Sequence, residues 1–179
     1  MQPTIEERME EFYSRIPTGL FVMTAAHDGM RCGILTRWVQ PCSRKPPLVM
    51  VSISTGLPIE PIIRDARGFA LCQLPACERV LPRRLAVPHD RTDDPFITIP
   101  HLSSPSGAPV PSRSLLYYDC QLVRHVDLEA DHRLYVGRVL HADFVHADAD
   151  TAPAVALRGM NLELGDAIDA VDAVDADGD

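Results

Sequence analysis

The residue whose type and position most favour chemistry is His132. It lies in the segment Asp131-His132-Arg133, directly after a turn and at the start of a run of strand-forming residues. Histidine is the side chain that changes charge closest to neutral pH, and at the rim of a barrel it would be placed to face a ligand. Residues at turns more often face only solvent, so the position alone leaves both interpretations open.

Motifs of the common nucleotide-binding, hydrolytic and zinc sites are absent. The chain has no GxxxxGK[ST] or GxGxxG loop, no GxSxG elbow and no HExxH helix. His141 and His146 are five residues apart, which places them on one face of neither a strand nor a helix. We therefore predict no metal site and interpret this segment as the solvated end of a strand.

The first half of the chain contains one helix and three strands that would position these residues. A capping box, apolar residues at helical spacing and then Pro17 indicate a helix, and the dipeptide Asp28-Gly29 between two apolar runs indicates a β-hairpin. The predicted elements are a helix over 4–16, hairpin strands over 20–26 and 31–36, and a β-branched strand over 48–54.

The second half shows the same mixture of short elements. The predicted elements are a helix over 59–66 stopped by Gly68, a strand over 69–74, a short helix within 77–85, a long Pro- and Ser-rich loop over 86–112, and strands over 114–123 and 133–140. The tight connection between the last two strands predicts antiparallel pairing. Because helices do not alternate regularly with strands, we expect a mostly-β fold, an antiparallel barrel or sandwich with helical insertions.

The net charge of −8 belongs to one end of the chain. Nine acidic residues and a single arginine lie from residue 146 onward, whereas residues 1–145 carry equal numbers of acids and bases. A neutral body lacks the basic surface of a nucleic-acid-binding protein. We predict one domain over 1–145, followed by an acidic low-complexity tail over 146–179 that is disordered or partly helical.

The cysteine count and the apolar runs bear on the cellular compartment. No run of 18 apolar residues and no signal-peptide pattern is present, so neither membrane association nor secretion is predicted. The five cysteines are odd in number and none shows CxxC spacing. We expect reduced thiols, buried in the case of Cys32, Cys72 and Cys120, and a cytoplasmic protein.

Four stretches in order along residues 10–145 resemble one known family. They are 17–25, with a small-Gly-x-x-x-Val-Thr-Ala pattern; 33–49, which ends in Pro-Pro-Leu-Val; the helix-to-strand step 62–71; and 131–139, similar to Gly-Asp-His-x-Leu-Phe-x-Gly-x-Val. The chain thereby resembles the flavin reductase-like family, whose fold is an FMN-binding split β-barrel.

The resemblance implies a homodimer that binds FMN at the subunit interface and transfers hydride from NADH or NADPH to flavin, often for a monooxygenase. It places the flavin phosphate at Leu35, Thr36, Arg37, Trp38, Val39 and Gln40. Ser52, Ser54, Thr55 and Cys72 would also contact flavin. His132 is the implied catalytic residue, near the isoalloxazine or nicotinamide ring.

The sequence departs from the family pattern at three of these positions. Many relatives have small hydroxyl residues where Arg37 and Trp38 stand, and Trp38 matches a flavoredoxin-like subgroup. Arg37 would replace the hydroxyls by pairing with phosphate, since a guanidinium binds phosphate bidentately, or it is a surface strand residue. Trp38 would stack on flavin or fill the dimer interface, and Cys72 replaces a common Asn, which puts that polar contact in question.

Two functions follow as hypotheses. The first is an FMN-dependent NAD(P)H:flavin oxidoreductase. The alternative is an FMN-binding electron-transfer or partner-binding module that has no NAD(P)H turnover of its own and receives electrons from another protein.

Overall fold

A seven-stranded antiparallel sheet forms the body of the molecule in the computed structural model, which describes residues 4–13, 15–86, 94–145, 153 and 155–156. The strands are β1 (Thr18–Gly19), β2 (Phe21–His27), β3 (Met30–Thr36), β4 (Val39–Arg44), β5 (Pro47–Ser54), β6 (Gly68–Gln73), β7 (His101–Ser103), β8 (Pro109–Pro111), β9 (Leu116–Asp127), β10 (His132–Phe144) and β11 (Val155–Ala156). The helices are α1 (Ile5–Tyr13), α2 (Ile59–Ala66), α3 (Val80–Leu85) and a 3₁₀ helix (Pro95–Ile97). The order in the main sheet is β3-β2-β6-β9-β10-β5-β4.

The two edges of this sheet, β3 and β4, are joined by only Arg37 and Trp38. Three extended Cα–Cα steps cover at most about 11 Å, whereas six strand spacings in a flat sheet cover about 29 Å. The sheet therefore has to curl until its edges approach. The connection lies against β5, where the Ser52 backbone N–H donates to the Trp38 carbonyl at 3.0 Å. The Thr36 hydroxyl, at the end of β3, donates to the Ser52 carbonyl at 3.4 Å. The predicted barrel-like, mostly-β fold is confirmed.

The hairpin of β2 and β3 turns at Asp28 and Gly29, which both have positive φ, as the Asp-Gly signal predicts. β2 is buried on both faces: Phe21 and Met23 pack inside the curled sheet with α2, and Val22 packs in a second cluster with α3. Two buried faces explain why the run 20–26 is continuously apolar.

The strand β10 approaches its neighbours most closely at Gly137. A Cβ on this residue would lie 2.6 Å from Phe69 Cζ and 2.8 Å from Cys120 Cβ. Glycine is therefore required for the packing of β10 on β6 and β9.

The predicted buried thiols are confirmed. Cys32, Cys72 and Cys120 are buried and all five cysteines are free. Burial raises the pKa of Cys32 to about 11 and that of Cys120 to about 12. These thiols stay protonated and pack as small apolar side chains.

The first helix is shorter than predicted and its apolar face is open. α1 ends at Tyr13, three residues before the predicted end. Ile5 is 66% exposed, Phe12 57% and Ile16 54%. The apolar residues whose spacing predicts the helix therefore face away from this chain's own core. Within the described residues, no helix has the length and apolar character needed to cross a membrane.

The prediction of a structureless loop over 86–112 is wrong for its described part, 94–112. This segment contains the 3₁₀ helix and the hairpin of β7 and β8, and Phe96 is buried in the second cluster. Proline and serine content hid the short strands, because β8 has proline at both ends.

Two polar anchors hold this segment to the sheet. The Arg31 guanidinium donates to the Asp94 carboxylate at 2.8 Å and 2.6 Å. The buried Asp119 carboxylate accepts from the Ser104 hydroxyl at 3.2 Å and from the Ser106 backbone N–H at 2.9 Å. The segment is thus fastened at its start and at the turn between β7 and β8.

Ordered contacts continue past residue 145, where the sequence predicts the domain to end. Val155 and Ala156 pair with Gly19 and Thr18 as β11 and β1, and Pro153 bridges to Pro75. Most of the predicted acidic tail lies outside the described residues.

A buried carboxylate, Glu60, fastens α2 to β10. Its Oε1 accepts from the backbone N–H groups of Gly56 and Leu57, and its Oε2 accepts from Arg133 and from the Tyr135 hydroxyl, the latter at 2.8 Å. Burial and the hydrogen bond to Glu60 raise the pKa of Tyr135 to about 12. Every partner of Glu60 is a donor, as a buried carboxylate requires.

We expect Glu60→Ala to lower the free energy of unfolding by about 3–5 kcal/mol, because the backbone N–H groups of Gly56 and Leu57 and the buried Tyr135 hydroxyl would lose their acceptor. Urea unfolding of the purified variant measures this. Asp65→Ala is the control: Asp65 forms an exposed pair with Arg64, and its loss should cost at most about 1 kcal/mol. Equal losses in the two variants would contradict the role assigned to Glu60.

We expect deletion of residues 150–179 to lower the free energy of unfolding by about 1–2 kcal/mol, because β11 and its hydrogen bonds to β1 are lost. Deletion of residues 157–179 retains every described contact and should leave stability unchanged. Thermal unfolding of both truncations measures the difference. If deletion of residues 157–179 destabilises the protein as much as deletion of residues 150–179, the stabilising contacts belong to residues after 156 and not to β11.

Candidate functional site

The closure point of the sheet brings two of the predicted segments together. The end of β3 approaches the end of β5 there, and the Thr36 hydroxyl donates to the Ser52 carbonyl at 3.4 Å. The backbone N–H of Ser52 donates to Trp38. Thr36 is buried and Ser52 is partly buried. Residues distant in sequence, 36–38 and 52–54, thus form one short stretch of surface.

The pairing of β10 with β5 adds His132 to this surface. His132 lies directly opposite Ser54 in the register, and its Nε2 is 3.4 Å from the Ser54 hydroxyl. The imidazole ring lies against the indole of Trp38, with ring centroids 4.5 Å apart and planes inclined by 33°. The predicted residue His132 therefore contacts two other predicted residues, Trp38 and Ser54.

Asp131 completes the surroundings of His132. Its Oδ1 lies 3.1 Å from His132 Nδ1, and the hydrogen bond from His132 holds the pKa of the Asp131 carboxyl below its usual range. The Asp131 carbonyl accepts from the Thr55 N–H at 2.9 Å and from the Thr55 hydroxyl at 3.2 Å. The sequence prediction omitted Asp131, although it stands beside His132 in the same motif.

Tyr13 is a second residue that the sequence prediction missed. Its ring meets the edge of Trp38 at a centroid distance of 6.0 Å. Trp38 is still 36% exposed and Tyr13 46%. The aromatic surface thus runs from α1 across Trp38 to His132, and much of it is open to solvent.

Arg37, beside Trp38, is half-buried, and burial lowers the pKa of its guanidinium. An arginine remains charged even so, because its pKa is far above neutral. The two residues after Trp38 start β4: Val39 packs on the inner core and Gln40 is exposed. Arg37 is therefore a cation that stands next to Trp38 in the chain.

Two predicted residues are not brought to this surface. Leu35 packs against the second cluster, on the side of β3 that faces away from Thr36. Cys72 lies in the same cluster with no exposed surface, and burial raises the pKa of its thiol. The Cys72 side chain is therefore not part of the aromatic surface.

A cavity of about 290 Å³ lies on the opposite face of β10. Its lining includes Glu60, Arg133, Tyr135, Arg64 and His125. Arg133 follows His132 in the strand, so the two side chains point to opposite faces. The cavity is thus separate from the aromatic surface.

The described residues contain no group of three or more side chains that could hold a metal ion. His141 is exposed on β10, and its ring centroid lies 5.8 Å from that of Tyr117. His146 lies outside the described residues.

This donor set fits a flavin. A planar ring system requires an apolar aromatic face, which Trp38 provides beside the imidazole of His132. A phosphate requires a cation, which Arg37 provides. The polar ring edge requires hydrogen-bonding groups, and Ser54 is placed next to His132.

Comparison with known proteins agrees with this fit. The reductase component of 4-nitrophenol 4-monooxygenase/4-nitrocatechol 2-monooxygenase from Rhodococcus opacus is 28% identical over 144 residues, which cover 79% of this chain and 74% of that protein. Diflavin flavoprotein A 1 from Synechocystis is 22% identical over 150 residues, which cover 83% of this chain and 26% of that protein. This chain therefore spans about a quarter of the diflavin protein.

Among solved structures, the NADH:FAD oxidoreductase SgcE6 of Streptomyces globisporus superposes with a TM-score of 0.73 at 23% identity, over 80% of this chain and 85% of that one. This likeness shows the fold. The family model described as "Flavin reductase like domain" matches residues 13–162. The match covers the curled sheet, its closure point and the aromatic surface, and the chain therefore belongs to the flavin reductase-like domain family.

Proposed function

We propose that this protein is an NAD(P)H:flavin oxidoreductase that binds FMN and supplies reduced flavin to a monooxygenase. The observation that supports it most is the contact of Trp38 with His132 at the closure point of the sheet, within a family match over residues 13–162. The flavin, when bound, supplies the hydride chemistry, and the chain's own residues bind and orient it.

Several hydrogen-bond donors near the closure point are already used within the chain. The Thr36 hydroxyl already donates to Ser52, and the Thr55 hydroxyl already donates to Asp131. The backbone N–H groups of Ser52 and Thr55 are also used within the chain. Arg37 is the cation of this segment, and its guanidinium carries five N–H donors in a fork that matches a phosphate, so we assign the phosphate to it.

The exposed apolar residues support a homodimer. Ile5, Phe12 and Ile16 present apolar surface from α1 and the turn after it, and Tyr13 and Trp38 extend that surface to the site. Contiguous apolar surface of this kind is typical of an interface. We propose that a second copy covers it and that flavin lies between the two chains.

The proposed partner follows from the Rhodococcus opacus relative, which is named as the reductase component of a monooxygenase. A two-component system passes reduced flavin from reductase to oxygenase. We propose the same role here, in the cytoplasm.

The diflavin flavoproteins favour a second candidate function. This chain matches about a quarter of the length of one of them, so related domains also exist as parts of larger flavoproteins. In that case bound FMN would accept electrons from a protein donor. Stopped-flow mixing of the FMN-loaded protein with NADH or NADPH discriminates, because rapid bleaching of flavin absorbance supports the reductase and its absence supports the module.

We expect FMN to quench the fluorescence of Trp38, the only tryptophan of the chain, with saturation at one FMN per protomer. Titration with FMN and, separately, with FAD measures which flavin binds more tightly. Trp38→Phe keeps an aromatic face and serves as the control, with binding followed by flavin absorbance. If neither FMN nor FAD quenches the fluorescence and NAD(P)H is not oxidised in their presence, the proposed function is contradicted.

We expect Arg37→Ala to weaken FMN binding by about 1.5–3 kcal/mol, roughly 10- to 150-fold, because a charged hydrogen bond to phosphate is lost. Riboflavin, which has no phosphate, should bind the variant and the parent protein equally. Arg44→Ala, at the far end of β4, is the matched control and should not change FMN affinity. An equal loss for FMN and riboflavin would mean that Arg37 does not bind the phosphate.

A further inference from the structure

Both ring nitrogens of His132 are engaged, each by a different partner. Nδ1 lies 3.1 Å from Asp131 Oδ1, and Nε2 lies 3.4 Å from the Ser54 hydroxyl. The three side chains thus form a line at the outer surface, where β10 pairs with β5. This arrangement restricts where the ring proton of neutral His132 is found.

The proton positions follow from donor and acceptor types. An ionised carboxylate only accepts hydrogen bonds, so the short contact with Asp131 places a hydrogen on Nδ1. The hydrogen bond keeps the pKa of Asp131 low, and the carboxylate therefore stays ionised. In neutral His132, Nε2 then carries a lone pair, and the hydroxyl of Ser54 is the donor to it.

The position of Asp131 is fixed by its backbone. Its carbonyl accepts two hydrogen bonds from Thr55, at 2.9 Å from the N–H and 3.2 Å from the hydroxyl. The side chain of Asp131 is 87% exposed, so the ion pair itself adds little stability. The carboxylate is therefore held next to His132 without being part of the core.

We propose that Asp131 is a positioning residue that holds His132 in the Nδ1–H tautomer, so that the Ser54 hydroxyl donates to Nε2 and turns its oxygen lone pairs toward a ligand. Ser54 in this state accepts a hydrogen bond from a ligand N–H group. Flavin and nicotinamide rings both carry such groups. This consequence for the ligand rests on the proposed function, whereas the tautomer is a property of the chain alone.

The test of the tautomer uses flavin-free protein labelled with ¹⁵N. Long-range ¹H–¹⁵N spectra of the neutral imidazole ring distinguish a protonated nitrogen from one with a lone pair, and the His132→Gln variant identifies the resonances. We expect the lone-pair signal at Nε2. A predominant Nε2–H form, which free histidine prefers, would overturn the proposal.

Two variants test whether Asp131 causes His132 to adopt the Nδ1–H form. Asp131→Asn keeps an oxygen acceptor without charge, and Asp131→Ala removes the acceptor, so the fraction of the Nδ1–H form should fall from parent to Asn to Ala. Asp28→Asn is the matched control. Asp28 also lies beside a histidine, at 3.4 Å from His27, but at the opposite end of the sheet. The His132 spectrum should be unchanged in this control, and an unchanged spectrum in Asp131→Ala would overturn the role of Asp131.

The last test measures the consequence for turnover. With FMN and NADH or NADPH, Asp131→Asn should lower kcat/KM by up to about tenfold, because the hydrogen bond that Ser54 accepts from the ligand is no longer held in place. Unchanged kcat/KM together with an unchanged Kd for FMN would overturn the link between the tautomer and the ligand. If the parent protein binds no flavin, the proposed function fails, and the ¹⁵N result still decides the role of Asp131.

Discussion

The fold depends on a short connection between the two edges of its main sheet. β3 and β4 are separated by Arg37 and Trp38 alone, and a flat arrangement would set these edges about 29 Å apart. Curling brings the edges together and places the end of β3 beside the end of β5. At this junction Trp38 is partly exposed and lies against His132, which pairs with Ser54. The site is therefore a consequence of closing the sheet.

The strand β10 connects this site with the interior. Its alternating side chains put His132 on the outer surface, and Arg133 and Tyr135 against Glu60 on the inner one. A buried carboxylate that accepts from four donors is costly to disturb, since the donors of Gly56, Leu57 and Tyr135 would lose this acceptor. His132 therefore stands one residue from a firmly held part of the same strand.

The sequence predicts local features well and contacts between distant segments poorly. The Asp28-Gly29 turn and the β-branched run 48–54 are determined by neighbouring residues, and both are confirmed. β4 was not expected as a strand, because Pro41 and polar residues obscure it and its pairing with β5 is what stabilises it. Tyr13 contacts Trp38 because of the path that the chain takes, and no local sequence pattern predicts a contact between such distant residues. Cys72 shows the converse. It occupies the position at which relatives commonly have an Asn, but its side chain has no exposed surface.

The aromatic surface forms only one wall of a binding site. Trp38 and His132 cover one face of a ring, and their other sides are open to solvent or to Tyr13. A ligand on a single wall is held by stacking and by a few polar contacts, each worth about 1–3 kcal/mol. Tight binding then requires a second wall, which the exposed apolar face of α1 would supply from another copy of the chain. In the proposed dimer, exchange of reduced flavin with a partner and assembly of the two chains would be linked through the same surface, and the tightness of flavin binding would depend on how completely the second chain covers Trp38.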